Sequence, residues 1–240
     1  MSSNKIKAVL FDLDGTLLPM DLEEFFREYF KLLADKLAPY GYGDPRKLAK
    51  NIYCIVEKVV GNDGSINNGE LFKNEYKAVF GDKPKNFENY FDDFYNNEFL
   101  LLKSVCGFNS EANKTVKQIK QKGLKAVIAT KPIFPASAIE KRMEWAGVDS
   151  CDFEYYTSYE ECSYCKPNPQ YYKEIADRIG LLPEDCLMVG NDVSEDMPAE
   201  KIGMKVFLLT DCLINYENKD INQYPNGSFS KLLEYIETLA

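Results

Sequence analysis

The residues with chemical reach in this chain gather at a few points. Asp12 and Asp14 stand two apart in Asp12-Leu13-Asp14-Gly15-Thr16, directly after an apolar run. Thr130 closes a second apolar run, and Asn191 and Asp192 close a third, with Asp196 one helical turn further on. Lys166 lies in Lys166-Pro167-Asn168-Pro169, just before a helical stretch. Histidine is absent from the sequence. That excludes Ser-His-Asp triads, histidine general bases and His-containing zinc sites, and leaves acid–base work to carboxylates, Lys, Tyr or Cys.

If Asp12, Asp14, Asp192 and Asp196 converge with only one or two lysines to balance them, they repel and some are driven neutral. A divalent cation removes that conflict. Mg²⁺ prefers oxygen ligands, keeps several waters, and is usually held by one or two carboxylates together with substrate phosphate. The set reads as a Mg²⁺ site awaiting a phosphate.

Such residues need strands beneath them, because ligands of open α/β sheets sit outside the carboxyl ends of the strands. Residues 5–11 predict a buried strand. From about 21 to 102 the pattern is helical. Asp21 caps a helix carrying Phe25, Phe26, Tyr29, Phe30 and Leu33, which ends at Pro39-Tyr40-Gly41-Tyr42-Gly43. Further helices are expected over 45–59, 70–80 and 86–101. After Asn109 the pattern alternates: helix 110–122, strand 124–129, helix 135–145, strand 153–156, helix 169–179, strand 186–189, helix 195–202, strand 205–209 and helix 229–239. This alternation predicts an α/β fold, a doubly wound parallel sheet. The core would comprise residues 1–17 and 104–240, with 18–103 as an all-helical insert.

In this order, DLDGT, the strand-closing Thr130, Lys166 in KPNP and the GNDVSED segment resemble the four motifs of the haloacid-dehalogenase-like hydrolases. Each motif alone is weak, and the four in sequence are specific. The insert resembles the cap that many small-molecule phosphatases of that superfamily carry after the first motif, over a Rossmann-like core.

The resemblance implies roles. Asp12 would be the nucleophile that forms an aspartyl-phosphate. Asp14 would be the acid that protonates the leaving oxygen and then the base that activates water, with its backbone carbonyl on the metal. Asp12, Asp14 and Asp192 would hold Mg²⁺. Thr130 would bind a phosphoryl oxygen, and Lys166 would stabilise both the nucleophile and the transferring group. Gly15 and Thr16 complete the phosphate-facing loop, Gly15 because it lets backbone N–H groups approach. Asn191 and Asp196 would support the site, Asp196 by orienting Lys166 or a metal-bound water. The implied activity is Mg²⁺-dependent hydrolysis of a small soluble phosphomonoester. A sugar phosphomutase is the alternative within the enzyme class. A phospho-acceptor signalling domain is the alternative outside it, although its motif order differs and a large insert does not suit it.

Lys131 departs from the family pattern, in which Asn often follows the hydroxyl residue. It either adds a second cation beside the phosphate or points away. Cys162 and Cys165 form a CxxC, but no second pair or histidine completes a zinc site, so they read as reduced thiols with a redox switch as the lesser reading. The stretch Phe87, Tyr90, Phe91, Phe94, Tyr95, Phe99 reads as core of the insert rather than a ligand cage. The loop from Gly61 to Asn68 is either substrate-facing or a plain helix connection.

Composition bounds the rest. A net charge of −9 gives no electrostatic footprint for a nucleic-acid backbone. No apolar run approaches the roughly 20 residues of a membrane helix. Residues 1–5 lack a signal-peptide pattern, which predicts a cytoplasmic protein with a small-molecule partner.

Overall fold

The computed structural model describes residues 5–40, 44–81 and 87–239. Its centre is a six-stranded parallel sheet: β1 (Ala8–Phe11), β2 (Lys125–Ile128), β3 (Tyr155–Tyr156), β4 (Cys186–Gly190), β5 (Lys205–Leu209) and β6 (Asn226–Gly227), in spatial order 3-2-1-4-5-6. All of β1 and β4 is buried, as a parallel sheet covered on both faces requires. Alternate residues part onto opposite faces. Val9, Phe11, Ile128, Leu187 and Val189 belong to one apolar layer, and Ala8, Leu10, Val127, Cys186 and Met188 to the other.

The first layer is closed by α5 (Ser110–Gln121), α6 (Ala136–Trp145) and α8 (Phe229–Leu239), and the second by α7 (Pro169–Arg178). Between β1 and β2 the chain forms α1 (Leu22–Leu37), α2 (Pro45–Val60), α3 (Asn68–Phe80) and α4 (Phe87–Asn96). Asp21, Asp44 and Asn67 cap the first three through their side chains, as expected for Asp and Asn at helix starts. No helix among the described residues is long and apolar enough to cross a membrane.

Three local expectations change. The helix expected over 86–101 ends at Asn96, and a 3-10 segment follows over Glu98–Val105. Asn97 breaks it, since its side-chain amide turns back to the carbonyl and carboxylate of Asp93 at 2.9 and 2.8 Å, competing with the helical ladder. The helix expected over 195–202 is a 3-10 turn, Met197–Ile202, containing Pro198, which lacks the N–H an α-helix would use. β6 had no sequence signal, because two residues, Asn226 and Gly227, carry no apolar alternation. The expected break at Gly41–Gly43 and the helix start at Asn86 lie outside the described residues.

Candidate active site

The sheet register sets the site. Phe11 lies beside Ile128 on one neighbour and Val189 on the other, so the chains leaving β1, β2 and β4 emerge side by side at the carboxyl edge. The strand order reverses at β1, where a doubly wound sheet opens its ligand crevice. Asp12, Asp14, Thr130, Lys166, Asn191, Asp192 and Asp196 all line one cavity of about 880 Å³.

At its base Lys166 is 1% exposed and donates to Asp12 Oδ1 at 2.8 Å and to Asp196 Oδ1 at 2.6 Å. Burial opposes its charge, yet Asp12 and Asp196 override that and hold its pKa well above the usual lysine range. Burial pushes Asp196 the other way for a carboxylate, upward, with Lys166 opposing. The second oxygen of Asp196 accepts the Asp192 N–H at 2.9 Å. Asp196 therefore ties Lys166 to the loop that carries Asp192. Gly190 leaves room for this bridge, because a Cβ on it would stand 2.0 Å from Asp196 Oδ2. The hydroxyls of Thr157 and Tyr171 donate to the carbonyl of Thr130 at 2.7 and 2.8 Å, anchoring it from below.

Gly15 and Thr16 are turned into the loop. Neither lines the cavity. Their N–H groups donate to Leu18 and Leu13 carbonyls within the turn, at 2.8 and 3.2 Å. Gly15 sits at φ +80°, and a Cβ there would meet Asn191 Nδ2 at 2.3 Å. Thr16 Oγ1 bridges Asp12 Oδ2 at 3.2 Å and Asn191 Oδ1 at 2.8 Å, while Asn191 donates to the Cys212 carbonyl at 2.7 Å. These three residues brace Asp12 from behind.

Asp14 meets a residue that sequence reading missed. Arg142 on α6, fully buried, donates through Nη1 to Asp14 Oδ2. Its Nε donates to the Ala138 carbonyl at 3.3 Å, and its guanidinium lies 4.5 Å from the centre of the Phe134 ring. Burial raises the Asp14 pKa, and Arg142 works against that rise. The earlier charge balance was thus short by one buried cation. An arginine in an amphipathic helix reads as solvent-facing, so no sequence signal could have placed it.

The donor set suits Mg²⁺. Among the described residues no three acidic, His or Cys side chains form a cage. Because the Asp14 carboxyl turns to Arg142, the carboxylates left for a cation are those of Asp12 and Asp192, which both line the cavity. Asp192 binds the Ser194 and Glu195 N–H groups through Oδ1 alone, at 2.7 and 3.0 Å. Its pKa is raised by burial, by Glu195 and by the charge of Asp12. Two carboxylates beside an open cavity match the habits of this ion, which keeps several waters.

The helical insert roofs the cavity with Phe26, Tyr29, Phe30, Phe72, Phe91 and Tyr95. Phe94 and Phe99, by contrast, are wholly buried, Phe99 stacked on Trp145 of α6 at 5.4 Å between centroids. The loop from Gly61 to Asn68 proves to be an anchor. The Asn68 and Gly69 N–H groups donate to the Cys162 and Tyr159 carbonyls at 2.8 and 2.7 Å, and Asn68 Nδ2 reaches the Pro132 carbonyl at 3.1 Å. Asn62 Nδ2 donates to Asn68 Oδ1 at 2.8 Å. From this loop it is Asn67 that faces the cavity, and Asn62 and Asp63 do not. Cys162 and Cys165 are buried free thiols whose pKa values burial pushes up to about 12, which makes them poor nucleophiles. Lys131 lines the cavity but is held by Glu195 in a partly exposed pair.

Comparison with known proteins shows the family of the chain. A family model described as haloacid dehalogenase-like hydrolase matches residues 6–201. The chain is 29% identical over 239 residues to the glyceraldehyde 3-phosphate phosphatase of Methanocaldococcus jannaschii, covering 98% of each. It is 26% identical over 208 residues to the phosphoglycolate phosphatase of Xylella fastidiosa, covering 85% of this chain and 80% of that one. The crystal structure of a HAD phosphatase from Thermococcus onnurineus matches 96% of this chain and 98% of its own, with a TM-score of 0.59 at 19% identity.

Proposed function

The chain belongs to the haloacid dehalogenase-like hydrolases, and from that premise we propose that it is a Mg²⁺-dependent phosphatase of small soluble phosphomonoesters that works through an aspartyl-phosphate on Asp12. The observation that carries this reading is Asp12 at the end of the central strand, paired with buried Lys166 and facing a roofed cavity. Asp12, Asp192 and the Asp14 carbonyl would hold Mg²⁺, which when bound supplies positive charge to the phosphoryl oxygens.

In the first step an Asp12 carboxylate oxygen attacks phosphorus and the ester P–O bond breaks. Protonated Asp14 gives its proton to the departing oxygen, which leaves as an alcohol. Lys166 and the Thr130 hydroxyl balance charge on the phosphoryl oxygens. In the second step water attacks phosphorus and passes a proton to the Asp14 carboxylate. The bond to Asp12 breaks, releasing inorganic phosphate and restoring both carboxyl groups. The insert, which we take as a cap over residues 18–103, encloses the ester and restricts bulk water.

For substrate, we put glyceraldehyde 3-phosphate first, because similarity to the phosphatase of that name runs the whole length of both chains, insert included. Specificity resides in the roof, and the phosphoglycolate phosphatase aligns over less of its length. The test is phosphate release across triose phosphates, phosphoglycolate, sugar phosphates and nucleotides, with Mg²⁺ and with a chelator. We expect turnover that requires Mg²⁺ and is abolished by Asp12→Asn with the melting temperature retained. Full activity of Asp12→Asn would falsify the mechanism. Isomerised sugar phosphate in place of inorganic phosphate would make the enzyme a mutase, and a phospho-Asp12 stable for minutes would make it a signalling domain.

A further inference from the structure

Arg142 and Asp14 form an ion pair that is left half made. An arginine–carboxylate pair built for stability closes as a fork, with two N–H groups on two oxygens. Here Nη1 holds Oδ2, while Nη2 and Oδ1 are both buried and both without a hydrogen-bond partner. Two orphans within one ion pair are costly, and such groups concentrate where a site is built for another partner. One carboxyl oxygen is fixed by Arg142, the other is enclosed without a partner, and Asp14 as a residue lines the cavity.

The guanidinium itself cannot easily follow a moving partner. Nε is tied to the carbonyl of Ala138 one turn back, and the plane lies over Phe134. Phe134 is in turn stacked on Phe26 of α1 at 6.2 Å between centroids and set edge-on to Tyr29 at 5.3 Å. The insert's own rings thus press on the platform that carries the guanidinium. Lysine could supply charge here but neither the ring-stacked plane nor the Nε anchor.

We propose that Arg142 is a positioning residue for Asp14: it grips Oδ2 and thereby holds the carboxyl in the orientation from which a proton passes to the leaving-group oxygen and, in the second step, is taken from water. This rests on the phosphatase reading above. Arg142 itself touches no substrate. Its removal should harm proton transfer selectively and leave binding and nucleophilic attack alone.

The test compares two esters in the first turnover by rapid quench. One is the fastest alkyl phosphomonoester of the panel, whose alkoxide must be protonated to leave. The other is p-nitrophenyl phosphate, whose phenolate leaves without a proton. Arg142→Met should slow the first turnover of the alkyl ester about 10²-fold, the lower end of what a positioned acid contributes. For p-nitrophenyl phosphate the first turnover should change by no more than about threefold, followed by slow steady-state release as the phosphoenzyme waits for its base. Arg142→Lys, which keeps a buried cation, carries the same comparison if the methionine variant does not fold, with a smaller gap of about tenfold between the esters. Equal losses on both esters, or no loss on either, overturn the proposal. Wild-type protein that turns over neither ester sinks the phosphatase reading instead, so the two failures are distinguishable.

Discussion

Lys166 and Arg142 are both fully enclosed, and each meets one of the two aspartates of the first motif, but they are held in opposite ways. Lys166 is saturated: its ammonium lies between Asp12 and Asp196, at 2.8 and 2.6 Å. Arg142 is tied at Nε, on its face and at one Nη, and left open at the other. The difference follows the duties proposed for their partners. Asp12 is proposed to attack through a carboxylate oxygen, so a compact cation fixed between two carboxylates suits it. Asp14 must gain and lose a proton, so it needs an oriented carboxyl with one oxygen unclaimed.

The largest way to break this comparison is Lys166→Met. It leaves Asp12 and Asp196 facing each other without a cation in a buried site. Breaking a buried pair of this kind costs about 3–5 kcal/mol, and loss of a donor to the transferring group lowers kcat by about 10³-fold. Urea unfolding and steady-state kinetics measure the two. Unlike the arginine variants, Lys166→Met should lose alkyl and nitrophenyl esters equally. A leaving-group preference in this variant would merge the two cations into one function.

A smaller perturbation reaches Lys166 without touching it. Gly190→Ala places a Cβ where Asp196 Oδ2 now sits, 2.0 Å away. Asp196 must shift, and with it its bonds to Lys166 and to the Asp192 N–H. We expect about 1–3 kcal/mol of destabilisation, typical of overpacking. The kcat should fall about tenfold, again equally for both ester types. Wild-type kinetics in Gly190→Ala would show that the Asp196 bridge does not set the position of Lys166.

These two cations also mark how far the sequence could be read. Lys166 was legible because it sits in a local motif, between a turn and a proline-started helix, and the chain's order fixes where it goes. Asp12, Thr130, Asn191 and Asp192 were legible for the same reason: each ends a strand whose apolar run is plain, and a parallel sheet aligns such ends. Arg142 is placed by the rotation and seating of α6 against the sheet and against Phe134, and that is a tertiary fact. Thr16 and Gly15 show the intermediate case. Their presence was readable, but which way they face depends on how Asn191, far along the chain, packs behind the loop. The anchor at Asn68 was hidden likewise, since its partners Pro132 and Cys162 belong to distant loops.

Lys131 also lines the cavity and is the control for the other two. It pairs with Glu195, but the two side chains are 27% and 31% exposed, so water screens the pair as it does not screen Lys166. Exposed or half-exposed pairs contribute about 0–1 kcal/mol. Lys131→Met should therefore leave stability within that range and kcat/KM within about threefold at ordinary ionic strength, for both kinds of ester. The same assay at low salt magnifies any attraction of Lys131 for an incoming phosphate dianion, because the screening length grows as salt falls. A loss confined to KM and deepening at low salt would assign Lys131 to substrate capture at the rim. A loss in kcat of the size expected for Lys166 would place it on the transferring phosphoryl group. In that case burial would not be what separates the cations that do chemistry here from the one that does not.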